Sequence, residues 1–142
     1  MVLFRKVHIS TSFFVSAALW VLVLPLPWVG ALFIASVVHE LGHFLALKLL
    51  GAQVNGMFIG ASGAKIHTGS LTRKQELISS AAGPLSGLLL LVFAAAAPRV
   101  AFCAFIQSMV NLIPVYPSDG GRVLRCLVEG MKILLAMQTK KG

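Results

Sequence analysis

Between Ser10 and Leu47 a single charged side chain, Glu40, interrupts an otherwise apolar run. A run of this length leaves few folds open. In hydrocarbon no water satisfies the peptide groups, so each segment must carry its hydrogen bonds internally, as a helix. At 1.5 Å rise per residue, Ser10 to Leu50 is about twice as long as one ~30 Å crossing requires. Pro25 and Pro27 stand where a turn is needed, and proline cannot continue a helical ladder. The pattern predicts a first span over about 10–26 and a second over about 28–50, stopped by Gly51.

Composition points the same way. The chain has 142 residues, 58% of them hydrophobic and 11% charged, a balance of membrane proteins and not of soluble domains. Its size predicts a single membrane-embedded domain over 1–142. The net charge of +8 comes from Lys and Arg lying outside the apolar runs, which suits topology and anionic headgroups. No basic stretch interleaved with aromatics supports nucleic acid as a partner. Cys103 and Cys126 form no C-x-x-C and imply no disulfide framework; both read as small packing residues. Arg5 and Lys6 precede the first apolar segment as in a signal peptide, but no cleavage site follows, so the segment reads as an uncleaved span.

Residues 51–70 carry Gly51, Gly56, Gly60, Gly63 and Gly69 among short apolar–polar alternations, which predicts a short β-hairpin or irregular β loop. Thr72 and Gln75 match a capping box opening a third span over about 75–97. Pro84 within it implies a kink, and small residues in Ala82-Gly83-Pro84-Leu85-Ser86-Gly87 permit close helix approach. After a turn at Pro98-Arg99, a fourth span is expected over about 100–116. From Gly121, the spacing of Arg122, Arg125, Glu129 and Lys132 places one charged stripe on an interfacial amphipathic helix. The fold class is therefore an all-α polytopic membrane protein of about four transmembrane helices, with a glycine-rich hairpin after the second and a C-terminal amphipathic helix. With both termini cytoplasmic, every Lys and Arg of the twelve except Arg99 lies inside, as the positive-inside rule requires.

Glu40 does not stand alone. It lies in His39-Glu40-Leu41-Gly42-His43, and histidines at i and i+4 project from one face of a helix, where two imidazoles can hold zinc. In such sites the intervening glutamate is not a ligand but the base that takes a proton from an activated water. A structural span would not carry these groups, because an ionisable residue at membrane depth costs ~2.5–3.5 kcal/mol. Three protein ligands are usual in a catalytic zinc site. The remaining candidates are Glu76, Asp119 and Glu129 with His8 and His67. Asp119 stands out, after Pro114 and Pro117 and before Gly120-Gly121, although a plain helix N-cap explains an aspartate there as well. Glu76 reads as a first-turn acid favoured by its helix dipole, and His8 and His67 as interfacial.

Taken together, three motifs resemble the site-2 protease family of intramembrane zinc metalloproteases: His39-Glu40-x-x-His43, Ala82-Gly83-Pro84, and Asn111-x-x-Pro114-x-x-Pro117-x-Asp119-Gly120-Gly121. The resemblance extends over about residues 7–125, and the compact form is similar to the sporulation factor IV B type. It implies one Zn2+ per chain held by His39, His43 and Asp119, Glu40 as general base, and Asn111 beside the site, holding substrate or the oxyanion. It also implies a membrane-tethered protein substrate, such as a sigma-factor precursor; regulation by separate membrane proteins would suit so small a chain, although no residue points to it. Three positions depart from the family pattern. Ser86-Gly87 stands where an asparagine is common, Ser118 where leucine commonly precedes the aspartate, and Phe58-Ile59-Gly60-Ala61-Ser62-Gly63 represents a family loop without its proline.

On this reading the reaction is peptide-bond hydrolysis within or near the membrane, with loop 51–70 offering a strand edge to an unwound substrate or serving only as a connector. A metal-binding transporter subunit would account for the histidines and Asp119 but leaves Glu40 without a role. An inactive homologue that only binds substrates is a third reading, against which the intact Glu40 speaks.

Overall fold

The computed structural model describes residues 7–61 and 63–139. Arg5, Lys6, Ser62, Lys140 and Lys141, which entered the sequence arguments, lie outside the described residues. Strand β1 (Val7–Ile9) leads into helices α1 (Thr11–Val23) and α2 (Leu26–Leu49). Strands β2 (Val54–Gly60) and β3 (Gly63–Thr68) follow. Helix α3 (Arg73–Leu89) runs into a 3-10 turn at Leu90–Phe93, and α4 (Pro98–Leu112) and α5 (Asp119–Thr139) complete the order.

The chain is mostly helical, but not all-α as its composition suggests: β1, β2 and β3 form a three-stranded sheet in that order. β2 and β3 pair antiparallel, with Met57 opposite Ile66 and Gly60 opposite Gly63. β1 pairs parallel to β2 through Val7–Met57, His8–Phe58 and Ile9–Ile59, and the His8 ring stacks on Phe58 at 5.5 Å. Three residues are too few for a readable alternation, and this strand's partner lies far along the sequence.

Two stretches are long and apolar enough to cross a membrane by length and composition, Leu26–Leu49 and Arg73–Phe93. The other two expected spans are shorter helices, and prolines set their ends. α1 is 13 residues long and stops at Leu24, in extended conformation before Pro25. α4 opens with Pro98 at its first position and ends at Ile113, held at ψ 128 before Pro114. Ala94 to Ala97, good helix formers, lie in a turn, because Pro98 keeps Ala97 out of the helical region (φ −137, ψ 64). The capping box at Thr72 closes in both directions, and Gly51 at φ +68 supplies the left-handed step that ends α2.

Helix packing relies on small side chains. Ala31 and Ala35 of α2 meet Cys103 and Ala104 of α4 in a buried cluster flanked by Trp28, Leu32, Leu90 and Val100. α2 crosses α3 where a side chain on Gly42 would strike Ser86 Oγ and the Ala82 carbonyl. Large apolar side chains point outward instead: Leu22 is 82% exposed and Val92 80%, an exterior matched to lipid and not to water. α5 lies against α3, where Arg125 pairs with Glu76 and buried Cys126 packs beside them. Burial, and then the Glu76 carboxylate, push the Cys126 thiol above its ordinary range, which keeps it protonated and unreactive.

Candidate metal centre

His39 and His43 lie one turn apart on α2, His39 buried and His43 half-buried. Their Nε2 atoms approach to 3.2 Å. Asp119 enters from the start of α5, its Oδ2 3.1 Å from His39 Nε2 and 3.2 Å from His43 Nε2. Among the described residues, these three form the group of metal-ligating side chains able to share one ion.

The donor set fits zinc. Ligand atoms around a tetrahedral zinc with ~2.0–2.1 Å bonds lie about 3.3 Å apart, close to the separations here. His43 Nδ1 donates to the Ser79 carbonyl at 2.7 Å, which puts its proton on that nitrogen and turns the Nε2 lone pair inward. Two imidazole nitrogens and a carboxylate oxygen meeting at one buried point favour a cation. His39 Nδ1 is buried with no hydrogen-bond partner among the described residues.

Neighbouring backbone shapes the site. Any side chain at Gly83 would occupy the position of the His43 imidazole, which accounts for the glycine in Ala82-Gly83-Pro84. Ser86 shares its one hydroxyl proton between the carbonyls of Gly83 (2.7 Å) and Val38 (3.0 Å), tying α3 to the residue preceding His39. Its polar tether thus crosses the same helix contact. Gly120 and Gly121 serve the backbone. Side chains there would collide with the backbone of 112–116, so the pair makes room for the chain's own turn.

Glu40 is half-buried on α2, and the start of β3 lies beside it: a Cβ on Gly63 would stand 4.0 Å from Glu40 Oε1. Asn111 Nδ2 donates to the Gln107 carbonyl of its own helix at 3.0 Å and is not hydrogen-bonded to the cluster. Of the other ligand candidates, Glu76 is taken by Arg125 and Glu129 is exposed. His8 and His67 line a cleft of about 430 Å³ on the sheet with Asn55, Gly56, Met57 and Phe58. Asp119 does not cap α5; Ser118 does, its hydroxyl accepting the Gly121 N–H at 3.2 Å. Sequence reasoning missed Ser79, Ser86 and Ser118 as site residues. Ser79 acts through its carbonyl and leaves no signal; a polar residue beside each motif was the available clue for the other two.

Comparison with known proteins places these features. The sequence profile of the family described as peptidase M50B-like matches residues 12–136. A zinc metalloprotease of Methanocaldococcus jannaschii is 28% identical over 142 aligned residues, covering 90% of this chain and 40% of that protein. Stage IV sporulation protein FB of Bacillus subtilis is 26% identical over 136 residues, covering 86% of this chain and 47% of its own length. The chain therefore spans less than half of these two curated relatives. In fold it is similar to the site-2 protease from Methanocaldococcus jannaschii, with a TM-score of 0.71 at 22% identity, covering 92% of this chain and 69% of the other.

Proposed function

The chain belongs to the peptidase M50B-like family, and from that premise we propose that it is an intramembrane zinc metalloendopeptidase cleaving membrane-tethered or transmembrane proteins. The observation that carries this reading is the convergence of His39 Nε2, His43 Nε2 and Asp119 Oδ2 within 3.1–3.2 Å, with Glu40 beside them on the same helix.

His39, His43 and Asp119 are the proposed ligands of one Zn2+. When bound, zinc supplies Lewis acidity towards a water and the scissile carbonyl. Glu40 receives the water proton on its carboxylate and delivers it to the leaving amine. The Ser79 carbonyl holds the His43 ring in the tautomer and orientation a ligand needs. Asn111 uses one amide N–H on Gln107, and the second is our candidate donor to the developing oxyanion. β3 forms one edge of the sheet, an edge on which an unwound substrate can add as a further strand.

The same reading takes residues 1–142 as one membrane-embedded domain. Its crossings run over about 10–26, 28–50, 75–97 and 100–116, with α5 at the interface and both termini cytoplasmic. Lipid, a tethered substrate and regulatory membrane proteins are the proposed partners. A sigma-factor precursor is the first substrate to try, since one relative is named for sporulation.

The test is cleavage of a panel of tethered single-span substrates, including a sigma-factor precursor, by zinc-loaded chain and its Glu40→Gln form in vesicles. Cleavage by the native chain alone is expected. Equal cleavage by both would remove Glu40 from the mechanism.

A further inference from the structure

The three proposed ligands are not held alike. His39 and His43 ride on a helix of 24 residues, whereas Asp119 is the first residue of α5 and follows a stretch, 113–118, outside any helix or strand. A carboxylate placed there points at the histidines only if turn and helix are locked together.

Ser118 makes that lock. Its hydroxyl accepts the Gly121 N–H at 3.2 Å and faces the carbonyls of Ile113 at 2.5 Å and Val115 at 2.6 Å. A hydroxyl carries one proton and two lone pairs, so it can accept from the helix and donate to the turn at the same time. The backbone follows the same course. Ser118 N–H donates to the Val115 carbonyl at 2.9 Å, and Arg122 N–H donates to the Ser118 carbonyl at 3.1 Å. Gly120 and Gly121 lie so close to the backbone of 112–116 that neither has space for a side chain. Asp119 thus sits between a hydroxyl-bound residue and two glycines pressed against the turn.

We propose that Ser118 is the positioning residue of the metal centre: its hydroxyl ties the 113–115 turn to the first turn of α5 and so aims Asp119 at His39 and His43. The inference rests on the reading of those three residues as zinc ligands. It also gives a use to a position where the family pattern favours leucine, which could not make these bonds.

The experiment uses the full chain in detergent, as native protein, Ser118→Ala, Ser118→Thr and Asp119→Ala. Zinc affinity is read by competition with a chromophoric chelator, ligand geometry by the visible absorption of the Co2+ form, and folding by circular dichroism. Loss of a residue that orients a ligand weakens metal binding roughly 10–100-fold; that loss is expected for Ser118→Ala, with a shifted Co2+ spectrum and native helicity. Threonine keeps the hydroxyl and is expected to restore affinity and spectrum. Native affinity and spectrum in the alanine form, or a threonine form as weak as alanine, would overturn the proposal. A native chain that binds no zinc, or an Asp119→Ala form that binds it as the native does, would overturn the ligand assignment instead, and the inference with it.

Discussion

Gly83 faces His43 so closely that a single methyl group on it would take the place of the imidazole. The sequence of α3 thus limits the metal site on α2 by what it leaves out. Gly83→Ala is expected to displace His43 and sharply lower zinc bound per chain, with an overpacking cost of about 1–3 kcal/mol in stability. Metal analysis of the purified variant checks it; full zinc occupancy at native affinity would show that the ring has room to move.

Glu40→Gln separates binding from chemistry. The variant should retain zinc, because Glu40 stands outside the ligand group, and should lose activity by roughly 10²–10⁴-fold, the range of a general base. Paired zinc and cleavage assays decide it. A loss of zinc equal to the loss of activity would make Glu40 a ligand.

His39→Ala and Asp119→Ala should each abolish stoichiometric zinc, since a site of three protein ligands reduced to two no longer holds its metal tightly. Equilibrium dialysis against buffered zinc is the measurement. His67→Ala, on the sheet and outside the ligand group, should bind as the native chain does; if it fails to, the site extends further than the three residues.

Thr72→Ala removes the hydroxyl that accepts the Gln75 N–H at the start of α3. The expected loss is ~1 kcal/mol, the usual value of an N-cap, read as a lower thermal midpoint in detergent. Zinc affinity should stay unchanged, and a parallel fall would tie the cap to the metal centre.

Cysteines introduced at Lys65 and Arg99 should react with an impermeant thiol reagent from opposite sides of a sealed vesicle, because the first lies on β3, in the segment assigned inside, and the second in the first turn of α4, at the end assigned outside. Labelling of both from one side would reject the four-span topology.

Much of the centre is legible in the sequence, because His39 and His43 obey a local rule: four residues along a helix return to the same face. Asp119 is harder. Its place depends on the turn at 113–118 and two glycines, and the local sequence equally suits a helix cap, a part Ser118 plays instead. Local signals also found the capping box at Thr72 and the stop at Gly51. Long-range relations stayed hidden. β1 is recognisable only through β2, more than forty residues on. The alanines before Pro98 read as helix until the restriction that proline places on Ala97 is taken into account. Ser86 and Ser118 looked like departures from a pattern, although each hydroxyl bridges two segments around the centre.

The parallel pairing of β1 with β2 carries a consequence for how the chain threads a bilayer. Residues 7–9 and 54–60 belong to one hydrogen-bonded sheet, so both must occupy the same side. Whatever crosses between them, through α1 and α2, must cross an even number of times. Parity is thereby set by backbone hydrogen bonds, independently of where lysines and arginines fall, and a helical pair that entered and failed to return would break the sheet.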